Sequence, residues 1–165
     1  MTLRPYSPTD AVKCREIFIS NVPNYFAEEE IEKLDNWLNA LDNGTVPYSS
    51  AEAIYFYVLE VKNEIIGAGG FYLVKGENSA QLNWGMVHAD HHKKGFGKLL
   101  YDYRINKIKE IAPNRQTTTW TSQHTFRFYE KLGMKVKAVT PNGFGYGFDK
   151  YEMEEVPKPL LNPPR

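Results

Sequence analysis

The chain has 165 residues, with 20 lysines and arginines against 20 aspartates and glutamates and a formal charge of zero: enough for one domain with a substantial core and too short for two ordinary ones. A balanced charge creates no global field toward nucleic acid or an anionic membrane, so any bound anion must be held by local groups. Cys14 is the single cysteine, which excludes an intrachain disulfide and a thiolate-rich metal site; with no apolar leader at Met1-Thr2-Leu3-Arg4-Pro5 and no long apolar run, the expectation is a cytoplasmic protein without a membrane partner.

Residues 3–5 read as a short edge strand that runs into a turn at Ser7-Pro8-Thr9-Asp10. A helix follows, because Ala11, Cys14 and Phe18 recur at helical spacing and Ile17 widens the apolar face. In that setting Cys14 is a packing residue. After a loop at 21–26 containing Pro23, a second helix is expected over 27–41, with Ile31, Leu34, Trp37, Leu38 and Leu41 on one stripe and Glu28, Glu29 and Glu30 near its positive end. Asp42-Asn43-Gly44 supplies the exit.

The periodicity then changes. Aromatic and branched residues at 54–61, a turn at Lys62-Asn63-Glu64, a second such run at 65–74 and a third at 80–87 predict three strands in a meander. Gly67, Gly69 and Gly70 inside the second run mark a bulge or a close approach. From Gly95 onward Phe96, Leu99, Leu100, Tyr103, Ile108 and Ile111 predict a helix ending near Pro113-Asn114, with its basic residues on an ordinary solvated face. A short strand at 117–121, a helix carrying Phe126, Tyr129 and Leu132, a strand at 134–139, a turn at Pro141-Asn142-Gly143 and a last strand at 144–153 complete the set. This order argues for an α+β, or α/β layered, domain over 1–156 and an irregular proline-rich tail over 157–165 in which Leu160 and Leu161 could still pack.

Chemistry concentrates where the third strand passes into the long helix, through His88-Ala89-Asp90-His91-His92-Lys93-Lys94-Gly95-Phe96-Gly97-Lys98. A helix N-terminus carries unpaired backbone N–H groups, which cradle phosphate. Glycines at 95 and 97 let an anion approach the backbone, and Lys93, Lys94 and Lys98 add charge. The turn lacks the Lys-Ser/Thr pair of a P-loop, and Leu100 stands where the dinucleotide fingerprint needs its third glycine.

His92-Lys93-Lys94-Gly95-Phe96-Gly97 resembles the coenzyme A motif of the GCN5-related N-acetyltransferase (GNAT) superfamily, Gln/Arg-x-x-Gly-x-Gly/Ala, with His92 in the Gln/Arg position. A second stretch, residues 119–134, resembles that family's strand followed by Asn-x-x-Ala-x-x-hydrophobic-Tyr-x-Lys-x-Gly-Phe: Tyr129 and Gly133 match, while Ser122, Thr125 and Met134 stand for the Asn, Ala and Phe. The resemblance runs from about residue 3 to 154 and implies a mixed, mostly antiparallel sheet flanked by helices. It further implies an N-acyltransferase using acetyl-CoA as cosubstrate, with direct attack by a primary amine of a small molecule or peptide.

By the same resemblance the pyrophosphate falls to 92–98, the pantetheine arm and thioester carbonyl to backbone groups around Met86, Val87 and His88, and further cofactor contacts to Ser122, Thr125 and Phe128. Tyr129 becomes the general acid for the departing thiolate. The strand that often carries a carboxylate in relatives has Gln81 and Asn83 instead, neither able to take a proton, so His88 is the candidate base, with Glu60 and Asp90 behind it. The acceptor pocket is expected from Tyr25, Phe26, Tyr55 and Trp84, with Tyr57 and Tyr72 nearby. His88, Asp90, His91 and His92 have zinc-ligand chemistry but no distant partner set, and no metal is assigned. A coenzyme A-binding sensor without turnover and an aromatic interaction domain are the alternatives; a nucleic-acid module is disfavoured, and a homodimer is compatible with the strands.

Overall fold

The structure, a computed structural model, describes residues 1–157; of the tail expected over 157–165, residues 158–165, with Leu160 and Leu161, lie outside them. One seven-stranded sheet organises the chain in the order β1-β2-β3-β4-β5-β7-β6. Its strands are β1 (Thr2–Pro5), β2 (Ala51–Val61), β3 (Glu64–Val74), β4 (Ser79–Val87), β5 (Gln116–Thr121), β6 (Met134–Gly145) and β7 (Phe148–Glu155). Every neighbouring pair is antiparallel except β4 with β5, as expected where a helix crosses between them. The helices are α1 (Ala11–Ser20), α2 (Ile31–Asn43), α3 (Phe96–Ile111) and α4 (Phe126–Lys131).

The two-residue alternation of the strands divides the core between the faces of the sheet. Phe56, Val58 and Ala68 pack with Cys14, Phe18, Leu34 and Trp37 of α1 and α2. Tyr57, Phe71 and Leu82 pack with Tyr101, Ile105 and Ile108 of α3 and Tyr129 of α4. Cys14 is fully buried and its thiol is pushed up to about 12 by that burial, which suits packing and not nucleophilic attack.

Two boundaries differ from those the sequence predicts. Residues 28–30 form a 3₁₀ turn and α2 begins at Ile31, because the Glu30 carboxylate reaches back to accept the Ala27 N–H at 3.0 Å. The helix ends where Gly44 takes a left-handed φ of 65°. The second difference is the last hairpin. β6 runs through Pro141-Asn142-Gly143, and the chain reverses at Gly145–Gly147 instead. β6 is the edge strand, so the missing proline N–H is tolerated, and Asn142 Oδ1 accepts the Gly147 N–H at 2.7 Å to tie the displaced turn.

Candidate functional site

β4 pairs with β3 along its length but with β5 only from Ser79 to Leu82, opposite Gln116 to Thr119. Beyond those residues the two strands part. In the same place β4 slips a register against β3 between Ala68 and Gly70, and Trp84 adopts a φ of +50°, a bulge at the point of divergence. The gap opens into a cleft of about 920 Å³ that runs from the N-terminus of α3 to the α1–α2 loop.

At one end stands the turn before α3. Gly95 is the N-cap with a φ of +85° and no side-chain cap, so the first backbone N–H groups of this 16-residue helix face the cleft unpaired by the protein. Gly97 serves a different need, since a Cβ there would lie 3.3 Å from the Phe128 ring. His92, Lys93, Phe96 and Lys98 line this end as well. His92 is fixed by its Nε2 hydrogen bond to the Val87 carbonyl at 2.9 Å and by an edge-on contact with Tyr25, ring centres 5.1 Å apart. Lys94, expected among the anion-binding groups, is turned away and donates to the Asp90 carbonyl at 3.3 Å.

The middle is built by β4, β5 and α4. Met86, Val87, Ser122, Thr125, Phe128 and Tyr129 all line the cleft. Ser122 and Tyr129 are buried, and the Ser122 carbonyl starts α4 by accepting the Thr125 and Phe126 N–H groups. Phe128 reaches the α3 turn at Gly97, and Tyr129 reaches the β4 bulge through Arg104.

Arg104 is the residue the sequence reading misplaces. It sits on α3, is 2% exposed and lines the cleft, instead of belonging to a solvated face. Its guanidinium donates to the carbonyls of Leu100, Gly70 and Asn83 at 3.3, 3.2 and 3.4 Å, plugging the bulge. Gly85 makes room, for a Cβ there would meet the guanidinium at 2.8 Å. Burial pushes the Arg104 pKa down from its ordinary value, and the Tyr129 and Tyr101 side chains oppose that shift.

At the far end the cleft is walled by Tyr25 and Phe26 of the α1–α2 loop, Glu30 and Lys33, Tyr48 and Ser50 before β2, Asn83 and Trp84 of the bulge, and Phe144, Phe148 and Lys150 of the β6–β7 hairpin. Tyr72 joins them, whereas Tyr55 and Tyr57 do not: strand alternation sends both to the α3 face, where Tyr55 stacks on Phe71 with centroids 4.8 Å apart.

His88 also departs from expectation. Its backbone N–H is taken by the Ile66 carbonyl at 2.8 Å, its Nδ1 accepts the Asp90 N–H at 3.2 Å, and its side chain lines a separate cavity of about 140 Å³ with Lys13, Glu16 and Glu64. It is therefore out of position for a base in the cleft, and Asp90 and Glu60 are too: Asp90 borders the small cavity and Glu60 pairs with Arg4 at 3.5 Å. His92 turns to the cleft while His88 turns from it, and among the described residues no three metal-ligating side chains converge.

Residues 52–136, more than half of the chain, match the acetyltransferase (GNAT) domain model. The chain belongs to the GNAT family. No curated protein matches it in sequence. Among solved structures, a GNAT-family protein from Desulfovibrio desulfuricans superposes with a TM-score of 0.74 at 20% identity, covering 93% of this chain and 96% of that one. An aminoglycoside 6′-N-acetyltransferase in complex with coenzyme A superposes at 0.70 with 17% identity over 96% and 99% of the two chains. A spermidine N-acetyltransferase chimera derived from Vibrio cholerae superposes at 0.73 with 17% identity over 94% of each. These likenesses establish the GNAT fold, and no helix among the described residues is long and apolar enough to cross a membrane.

Within this GNAT domain, the sequence reading missed two cleft residues although each carried a signal. Glu30 precedes Leu34, Trp37 and Leu38 on the buried stripe of α2, and Arg104 shares the buried stripe of α3 with Leu100, Tyr101 and Ile108. A charge at an apolar-face position is the signal that marks both.

Proposed function

We propose that this GNAT protein transfers an acetyl group from acetyl-CoA to a primary amine of a small molecule or peptide by direct attack. The observation that carries this reading is the single cleft that joins an uncapped helix N-terminus, a strand edge left unpaired where β4 and β5 part, and the buried Tyr129. Helix N–H groups suit a pyrophosphate, and an unpaired strand edge suits an extended amide-bearing arm that adds to it like a strand. The structural relatives named above include N-acetyltransferases of an aminoglycoside and of spermidine, one of them bound to coenzyme A.

In this reading the N–H groups of Gly95 to Lys98 hold the pyrophosphate, with Lys93 and Lys98 beside it. Met86 and Val87 border the thioester, and Ser122, Thr125 and Phe128 border the arm. The lone pair of the neutral amine attacks the carbonyl carbon, the C–S bond breaks, Tyr129 donates its hydroxyl proton to the sulfur, and the proton that the nitrogen loses as the amide forms restores the phenol. Residues 1–156 act as one unit, and the site needs no metal.

Free-thiol release from acetyl-CoA, measured with and without a panel of primary amines, tests the proposal. Amine-dependent release supports it. Tight coenzyme A binding with no release across the panel moves the reading to a sensor.

A further inference from the structure

Arg104 carries a charge that bracing the bulge does not require. A guanidinium has N–H donors on three nitrogens and no acceptor. Nε donates to the Leu100 carbonyl at 3.3 Å and Nη1 to the Gly70 and Asn83 carbonyls at 3.2 and 3.4 Å, which leaves Nη2 without a backbone partner among the described residues. Two glycines clear its place. A Cβ at Gly69 would stand 3.0 Å from Nε, and one at Gly85 would stand 2.8 Å from Nη2. Neutral donors could satisfy three backbone carbonyls, yet a full cation is buried here, and among the described residues no carboxylate acts on its charge. Buried charges are ordinarily paired with an opposite one, so stability alone does not account for this one.

The side chain that meets the guanidinium is Tyr129. Its phenol is a hydrogen-bond partner of Arg104, and both residues line the cleft. Two edge-on contacts, with Tyr101 and Phe128 at 6.1 and 5.1 Å between ring centres, hold the phenol ring. Since a guanidinium can only donate, the phenol oxygen must accept from it, and the phenol's own O–H is turned away from the cation. We infer that Arg104 is the positioning residue for Tyr129: it fixes the phenol oxygen as an acceptor, aims the hydroxyl proton into the cleft, and faces the phenolate with a permanent positive charge. The inference rests on the acyl-transfer reading above and deepens it.

Atoms and charges balance around the pair. As the amine nitrogen bonds the carbonyl carbon and the C–S bond breaks, the electron pair of that bond takes the Tyr129 proton and forms S–H. The phenolate left behind lies beside the guanidinium, which neither gives nor takes a proton. The proton that the nitrogen loses as the amide forms then restores the phenol. A cation already in place stabilises negative charge that exists only during the reaction, so it acts on the chemical step and not on the binding of acetyl-CoA. A neutral donor would reach the same oxygen with a weaker bond, because hydrogen bonds with one ionised partner are the stronger ones.

The test measures thiol release by the full chain at saturating acetyl-CoA, with 2-phenylethylamine, phenylalaninamide and putrescine as acceptors, in wild type, Arg104→Gln, Tyr129→Phe and the double variant. Arg104→Gln keeps N–H donors for the bulge carbonyls and deletes the charge. Its kcat should fall roughly 10- to 100-fold, while the acetyl-CoA KM stays within about twofold. Added to Tyr129→Phe, the same substitution should lower kcat by less than about twofold more, because its effect passes through a hydroxyl already removed. An unchanged kcat in Arg104→Gln overturns the inference, and so do losses that multiply in the double variant, the pattern of a residue that only braces the bulge. A second measurement leaves Arg104 intact. In nuclear magnetic resonance spectra of protein carrying isotope-labelled arginine, the Arg104 Nη signals should shift between wild type and Tyr129→Phe. Identical signals overturn the pairing, and this holds where Arg104→Gln fails to fold. Absence of thiol release from wild type with every amine overturns acyl transfer instead, and the spectra then decide the pairing by themselves.

Discussion

The two ends of the cleft are made in opposite ways. The end proposed for the acetyl donor comes from one contiguous stretch, His92 to Lys98, and its main instrument is backbone: an uncapped helix terminus with Gly95 in a left-handed conformation. The end proposed for the acceptor draws on the α1–α2 loop, the residues before β2, the β4 bulge and the β6–β7 hairpin, and its instruments are side chains. A backbone site recognises what every acetyl-CoA shares and tolerates change in most side chains around it. A side-chain site can be re-specified one residue at a time.

Substitutions should therefore separate the two ends. The largest effect is expected for Gly97→Glu, which drives a side chain against Phe128 and sets a carboxylate at the proposed pyrophosphate site. Coenzyme A affinity, measured by calorimetry on folded protein, should fall by roughly 100-fold or more, since steric and like-charge costs add. Undiminished affinity would break the assignment of that end. Next is Tyr129→Phe. Turnover at saturating substrates should drop roughly 100-fold while the acetyl-CoA KM changes little, the pattern of a lost general acid. Normal turnover with chemistry rate-limiting would remove Tyr129 from that role.

Between the ends, Arg104→Ala should unfold the bulge that both share. Removing a buried guanidinium leaves the Leu100, Gly70 and Asn83 carbonyls unpaired and opens a cavity, and the thermal midpoint should report a loss of about 3 kcal/mol. A smaller effect is expected from pH. The Glu30 carboxyl is raised in the folded protein to about 7, so the native state binds more protons than the unfolded one between the ordinary carboxylate range and that value. Its contribution to stability is full at low pH and is lost as pH rises through about 7. Melting curves from pH 5 to 8 should show this decline in wild type and its reduction in Glu30→Gln. The smallest effect belongs to Lys98→Ala: the side chain is 64% exposed and pairs with Asp102 on the surface. Stability should change by less than about 1 kcal/mol, with a modest, salt-sensitive weakening of coenzyme A binding.

Much of the sheet was legible because its causes are local. The aromatic and branched runs of β2, β3 and β4 and the stripe of Leu34, Trp37 and Leu38 on α2 each state their structure within a few turns of chain. The reversal at Gly145–Gly147 was missed because Pro141-Asn142-Gly143 has equally good turn chemistry; that segment instead kinks within β6, where Asn142 takes a φ of +53° and the pairing with β7 shifts between Thr140 and Gly145, which an edge strand tolerates. His88 and Tyr55 were misassigned for a related reason. Each has suitable chemistry, but the side of the strand or loop on which it emerges depends on register, and register is fixed by pairing with Ile66 and Phe71 on β3.

The turn at Gly95 was decided within a short stretch of chain, since a strand, two spaced glycines and a helix need only their own backbone to leave a helix N-terminus uncapped. Tertiary structure decided the other end of the cleft. Glu30, Asn83 and Trp84 come to one wall only when the fold brings α2 beside the β4 bulge, and whether a polar side chain there finds a partner depends on its distant neighbours.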